Sequence, residues 1–127
     1  MTQPFPISIG RVYDPPDPDL GARLLVDRLW PRGIRKSDLH LDDWLRQVTP
    51  SNDLRKWYHA DPASRYPEFA RRYEQELSGN PDGVGDCLQW CRKGPVLLLT
   101  AAHDPETSHV PVLRALLHRQ LQTEDQP

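Results

Sequence analysis

Val96-Leu97-Leu98-Leu99-Thr100-Ala101-Ala102 is the stretch on which the fold turns. Gly94-Pro95 precedes it and Asp104-Pro105 follows it. It is short and apolar, and it does not alternate with polar residues. A strand of that kind is covered on both faces, and sheets covered on both faces are typically parallel. This strand therefore predicts an α/β domain: a small, three-layer, mainly parallel sheet with helices on both faces.

Two more strands are expected upstream. Phe5–Tyr13 carries Ile7, Ile9 and Val12, and Ala22–Trp30 (ARLLVDRLW) is apolar and ended by Pro31. The prolines of Asp14-Pro-Pro-Asp-Pro-Asp19 between them bar a helix. A parallel crossover normally needs about a dozen residues. The link here is shorter, so the two strands are either antiparallel or joined by an unusually extended segment.

Between the second strand and Val96, the chain reads as helices. Leu41–Val48 fits a short helix or a strand equally well. Ser51 is a good N-cap, with Asp53 in the first turn, for a helix through Leu54, Trp57 and Tyr58. Asp61-Pro62 opens a second helix, with Tyr66, Phe69, Tyr73 and Leu77 on one face, ending near Ser78-Gly79-Asn80. Asp82–Arg92 is a third, closed by Gly94-Pro95. Ser108–Leu121 is the last, apolar at Val110, Leu113, Leu116, Leu117 and Leu121. The ordered core is expected over about residues 7–121, with a frayed polar tail at 122–127.

Composition narrows the classes. The chain has 127 residues and a formal net charge of -2, from 16 Lys+Arg against 18 Asp+Glu. That length suits one domain, 1–127. The charge excludes a globally basic nucleic-acid binder but not a local basic patch. No apolar run approaches the ~18 residues of a membrane span. Met1–Gly10 has neither the basic start nor the apolar stretch of a signal peptide. With two cysteines, a disulfide-framed fold is not expected, and the cytoplasm is the expected compartment. Fourteen prolines could signal disorder. They are expected at element boundaries and in loops, which argues for a folded, punctuated chain.

Three polar clusters could carry chemistry. The first follows the second strand: Asp27, Arg28, Trp30, Arg32, Gly33, Arg35 and Lys36, with no acid from Arg28 to Lys36. Ligands of α/β domains bind beyond the carboxyl ends of strands, and arginine forks suit phosphate or carboxylate. Arg28, Arg32 and Gly33 are thus expected to line an anion site, with Trp30 beside them; the alternative is a solvated basic turn. The second cluster is Ser51 to His59. Arg55 and His59 share a helix face, and Ser51 sits at a helix N-terminus that could receive an anion or simply be capped. His59 is either a proton carrier or a helix-end cation. The third cluster follows Thr100 and holds His103, Asp104, Ser108 and His109. His109 is expected in the first turn of the last helix, where its charged form is disfavoured and a neutral, functional form is favoured.

Cys87 and Cys91 stand four apart on a helix with no matching His pair, so they read as one buried and one partly exposed thiol rather than a metal site. No metal and no cofactor are expected. The chain has no P-loop, no G-x-G-x-x-G, no H-E-x-x-H and no G-x-S-x-G.

Arg11-Val-Tyr-Asp14, Leu25-Val-Asp-Arg-Leu-Trp-Pro-Arg-Gly33, Asp43-Trp44, Pro50-Ser51 with Leu54-Arg55, and the later Phe69, Tyr73 and Glu76-Leu77 resemble the YeaO-like proteins. These are small bacterial proteins classed as a domain of unknown function. The resemblance covers roughly Ile9 to Leu121 and implies one cytoplasmic α/β domain without an agreed activity. In the wider superfamily the last helix begins Cys-His-Arg. Here His109 matches, but Ser108 and Val110 replace the Cys and Arg. The YeaO-like pattern tends to Tyr-x-Ala-Lys where Thr100-Ala-Ala-His103 stands. The resemblance therefore implies no cysteine- or lysine-based chemistry for this chain. Asp27, Arg28, Arg32, Arg55 and His109 remain as the residues expected to converge.

Three functions follow as expectations. The first is a protein that binds, and could act on, a small anionic ligand such as a phosphorylated or nucleotide-like molecule. In it Arg28, Arg32 and Arg55 would hold the anion, and Asp27, His109 or His59 would move a proton. The second is nucleic-acid binding or regulation through the same basic loop. The third is an interaction module without catalysis.

Overall fold

The computed structural model describes residues 5–124. Residues 1–4 of the stretch read for a signal peptide and residues 125–127 of the tail lie outside it. Strands β1 (Ile7–Arg11), β2 (Ala22–Leu25), β3 (Asp43–Trp44) and β4 (Val96–Thr100) form one sheet in the order β1-β4-β2-β3. Every pairing is parallel. β4 is central and buried along its whole length, as its unbroken apolar sequence requires. Its Leu98 stands in register with Ile9 on one side and Leu24 on the other.

β1 and β2 are parallel and are not neighbours, because β4 lies between them. The chain crosses β4 through residues 12–21 without an α-helix. A 3-10 turn at Pro18–Leu20 shortens the path, and the Asp17 carboxylate accepts from the Asp19 N–H at 3.0 Å to close it. Gly21, at φ 96°, then turns the chain into β2. β2 is shorter than the Ala22–Trp30 expectation. The Val26 N–H still bonds the Leu99 carbonyl at 3.0 Å, but from Asp27 onward side chains replace the ladder. Leu41–Val48 is both of its alternatives, split between β3 and a 3-10 turn at Arg46–Val48.

Four helices follow the expected order: α1 (Asn52–Ala60), α2 (Pro62–Ser78), α3 (Pro81–Lys93) and α4 (Val110–Glu124). Four local expectations are corrected. Pro67 lies inside α2 rather than at a boundary. It is tolerated because it faces solvent, where water can satisfy the carbonyl left without a partner. Cys91 is as buried as Cys87, because both point from α3 into the core. Helix α4 begins at Val110, so His109 takes the cap position and its carbonyl accepts from the Leu113 N–H at 3.2 Å. And α4 runs on to Glu124 instead of fraying at Gln122, because the Glu124 carboxylate pairs with Arg92.

The two faces of the sheet are covered differently. Ile7, Leu24, Val26, Val96 and Leu98 pack with apolar residues of all four helices in the main core. On the other face Leu25, Leu97 and Leu99 meet Val12 and Leu39, flanked by half-buried Leu20, Trp30, Ile34, Leu41 and Trp44. Much of this second cover comes from the β1–β2 and β2–β3 connections, which contain no α-helix. The connections β1→β2→β3 step one way across the sheet and β3→β4 steps back. Right-handed crossovers place opposite steps on opposite faces. The helices fall in the return step and after β4, so the third layer is irregular chain. No helix among the described residues is long and apolar enough to cross a membrane.

Candidate functional site

The carboxyl ends of the parallel strands open into a cavity of about 660 Å³. It lies where α/β sheets bind ligands. The chain leaving β2 supplies Asp27, Arg28, Trp30 and Arg32, helix α1 supplies Arg55, Tyr58 and His59, and the chain between β4 and α4 supplies Thr100, His103, Asp104, Ser108 and His109. Seven of the nine expected site residues therefore meet here.

Ser51 and Gly33 do not. Ser51 caps α1, its hydroxyl oxygen accepting from the Leu54 N–H at 3.2 Å. Its own N–H and hydroxyl donate to the Glu76 carboxylate at 2.8 and 2.6 Å. The N-terminus of α1 thus already holds an anion, supplied by α2. Gly33 is exposed in the basic loop and does not line the cavity. Its φ of 79° turns the basic loop so that the Trp30 indole N–H reaches the Ile34 carbonyl at 2.7 Å.

Asp27 and His109 form the inner wall. One Asp27 oxygen accepts from the Thr100 hydroxyl and the other from the Ala101 N–H, both at 2.7 Å. The carboxylate thereby ties the end of β2 to the end of β4. His109 Nε2 lies 2.6 Å from the Val26 carbonyl and 3.8 Å from Asp27 Oδ1. A carbonyl can only accept, so Nε2 carries the hydrogen and Nδ1 holds the lone pair. Burial holds the imidazole below its usual pKa; the Val26 carbonyl and Asp27 oppose that shift, and the nearby Arg55 charge adds to it. His109 is thus neutral near pH 7. The His109 and Asp27 side chains are only 14% and 16% exposed.

The arginines differ in commitment. Arg28 donates to the Asn52 amide oxygen, which ties the basic loop to α1. Arg32 is exposed, and its backbone carbonyl accepts from the Tyr13 hydroxyl at 3.1 Å. Arg55 is the unusual one. Its Nε is buried without a hydrogen-bond partner, and no carboxylate forms an ion pair with it among the described residues. His59 lies exposed at the rim.

Rings complete the cavity. Tyr58 stacks on Phe69 with centroids 4.2 Å apart and donates its hydroxyl to the Thr107 carbonyl at 2.7 Å. Burial and the Asp104 charge push the Tyr58 hydroxyl up, so it stays protonated. Tyr13 is held under Arg11, whose guanidinium lies 5.0 Å from the ring centroid and whose Nε donates to the Ala102 carbonyl at 2.9 Å. None of these three rings stands out as a site residue in the sequence. Tyr58 and Phe69 look like ordinary helix-face residues there. Only the Arg11–Asp14 stretch that resembles the family points at Tyr13. The described residues contain no group of three His, Cys, Asp or Glu side chains able to hold a metal.

Residues 6–127 match the family DUF488-N3i, described as the inactive DUF488-N3 subclade. An uncharacterized protein of Mycobacterium tuberculosis is 40% identical over 118 residues, covering 93% of this chain and 98% of that protein. The uncharacterized protein YeaO of Escherichia coli is 41% identical over 107 residues, covering 84% of this chain and 92% of YeaO. No solved structure matches. With near-full-length similarity in both comparisons, the chain belongs to the YeaO-like bacterial family DUF488-N3i, whose function is unknown.

Proposed function

We propose that the cavity binds a small anionic ligand, such as a phosphate ester, and holds it without turning it over. The observation that carries this reading is Arg55. A buried guanidinium N–H without an acceptor costs about 1–3 kcal/mol or more in an empty fold. Arg55 is half-buried and lines the cavity without an ion pair among the described residues, so its terminal N–H groups would be the ones to meet a ligand oxygen, and Arg28 and Arg32 would add to the attraction. Two of the three expected proton carriers, Asp27 and His109, are tied into the fold, while His59 stays exposed at the rim. Both Asp27 oxygens and the His109 Nε2 hydrogen are engaged within the protein, so these residues build the wall. The description of the matched family as an inactive subclade agrees.

Titration calorimetry with phosphate esters tests this on wild type and Arg55→Gln. Binding that weakens at least about tenfold in Arg55→Gln supports the reading. Binding that is absent, or unchanged by the substitution, overturns it. The nucleic-acid alternative predicts affinity for oligonucleotides that falls steeply with salt, lost on neutralising Arg32 and Arg35 and indifferent to Arg55.

A further inference from the structure

The polar groups of the cavity are unequally available, and that inequality selects the body of the ligand. The Tyr13 hydroxyl, the Trp30 indole N–H and the Tyr58 hydroxyl all donate to backbone carbonyls, at 3.1, 2.7 and 2.7 Å. The Asp27 oxygens and the Thr100 hydroxyl are committed to each other and to Ala101. Each ring therefore offers carbon to the cavity and keeps its polar tip for the fold. Arg55 lines the same cavity without an ion pair among the described residues, so its guanidinium is uncommitted there. At the mouth the balance is apolar as well. Tyr13 and Leu29, 46% and 68% exposed, are two of the three exposed large hydrophobic side chains among the described residues, and both line this cavity.

A phosphate ion would leave most of 660 Å³ unfilled. A sugar phosphate would fill more of it, but hydroxyls set against Tyr13, Trp30, Tyr58, Asp27 or Thr100 would lose water and face groups whose hydrogen bonds are already made. A flat aromatic body suits locked rings, which favour edge-on or offset contact.

We propose that the ligand is an aromatic phosphate or comparable aromatic anion, its charged head at Arg55 and its ring between Tyr58 and the Tyr13–Leu29 mouth. This rests on the anion reading above and adds the chemical class of the body. Burying the ring and the exposed Leu29 contributes affinity that a polar body cannot gain.

The test compares phenyl phosphate, glucose 6-phosphate and orthophosphate by calorimetry on wild type, Arg55→Gln and Leu29→Gln. Leu29 is mostly exposed, so its substitution leaves folding intact. Phenyl phosphate is expected to bind about tenfold or more tighter than the other two. Arg55→Gln is expected to weaken it strongly, and Leu29→Gln to weaken phenyl phosphate about threefold while leaving glucose 6-phosphate unchanged. Glucose 6-phosphate binding as tightly as phenyl phosphate, through Arg55, overturns the aromatic class and leaves the anion reading standing. So does a Leu29→Gln change that weakens both esters equally. Absence of Arg55-dependent binding to all three removes both.

Discussion

Arg55 costs the empty protein stability. Its stem emerges from α1 into the cavity, and its Nε is cut off from solvent without an acceptor. Replacing it with methionine keeps an apolar stem and removes the unsatisfied donor. Arg55→Met is therefore expected to raise the unfolding free energy by about 1 kcal/mol while abolishing ligand binding. Urea denaturation measures the first effect; a loss of stability would show that Arg55 serves the fold. His109 acts in the opposite sense. Its pKa is lowered in the folded state, so between that value and its ordinary value of about 6.5 the unfolded chain binds more protons. Its contribution to stability is complete above about pH 6.5 and is lost as pH falls below it. His109→Gln should flatten the fall in stability below about pH 6.5 relative to wild type, followed as the urea midpoint against pH. The convergence of Asp27, Arg28, Arg32, Arg55 and His109 on one cavity was legible at this scale, because each is a charged or titratable residue within one of the three polar clusters of the sequence. That the Arg55 Nε is buried without an acceptor was not legible, since pairing depends on what the rest of the fold brings near.

Among the elements, the turn that delivers the chain into β2 is tightly constrained. A Cβ on Gly21 would lie 2.0 Å from the Pro95 carbonyl oxygen, and its φ is 96°. Gly21→Ala should therefore cost roughly 3 kcal/mol or more, because the backbone of β2 must move away from β4. Gly33 has φ 79°, but a Cβ there would meet no atom within 4 Å, so Gly33→Ala should cost only about 1 kcal/mol. Thermal denaturation of the two variants separates strain from collision. Helix α1 depends on its cap. Ser51 both accepts from Leu54 and donates to Glu76, and Ser51→Ala should lower stability by about 1 kcal/mol. A variant as stable as wild type would show that Glu76 caps the helix alone. The four helices were readable from their periodicity and punctuation. Pro67 was not expected inside α2, because proline chemistry argues against a helix interior and only its solvent-facing position relieves the conflict.

For the molecule as a whole, the cysteines report on cooperativity. Burial pushes the Cys87 thiol up to about 12 and the Cys91 thiol up to about 11, and both lie in the main core. Neither is a thiolate at neutral pH. A thiol reagent near neutral pH should react only through unfolding, with a rate that climbs with urea in step with global instability. Rapid labelling in native buffer would place a cysteine outside the core. The α/β class, the parallel strand at Val96 and the helix order were all present in the amino-acid string, because burial period, caps and prolines are local signals. Strand order, the helix-free cover on one face and the cavity's lining emerge only when the chain packs. β4 separates β1 from β2 and draws both partners from the far, N-terminal part of the chain, Ile9 and Leu24 each pairing with Leu98. No local pattern records which distant segments pair. The same holds for the site: the order of residues showed where cations concentrate, and the packed chain buried the Nε of one of them, Arg55, without an acceptor.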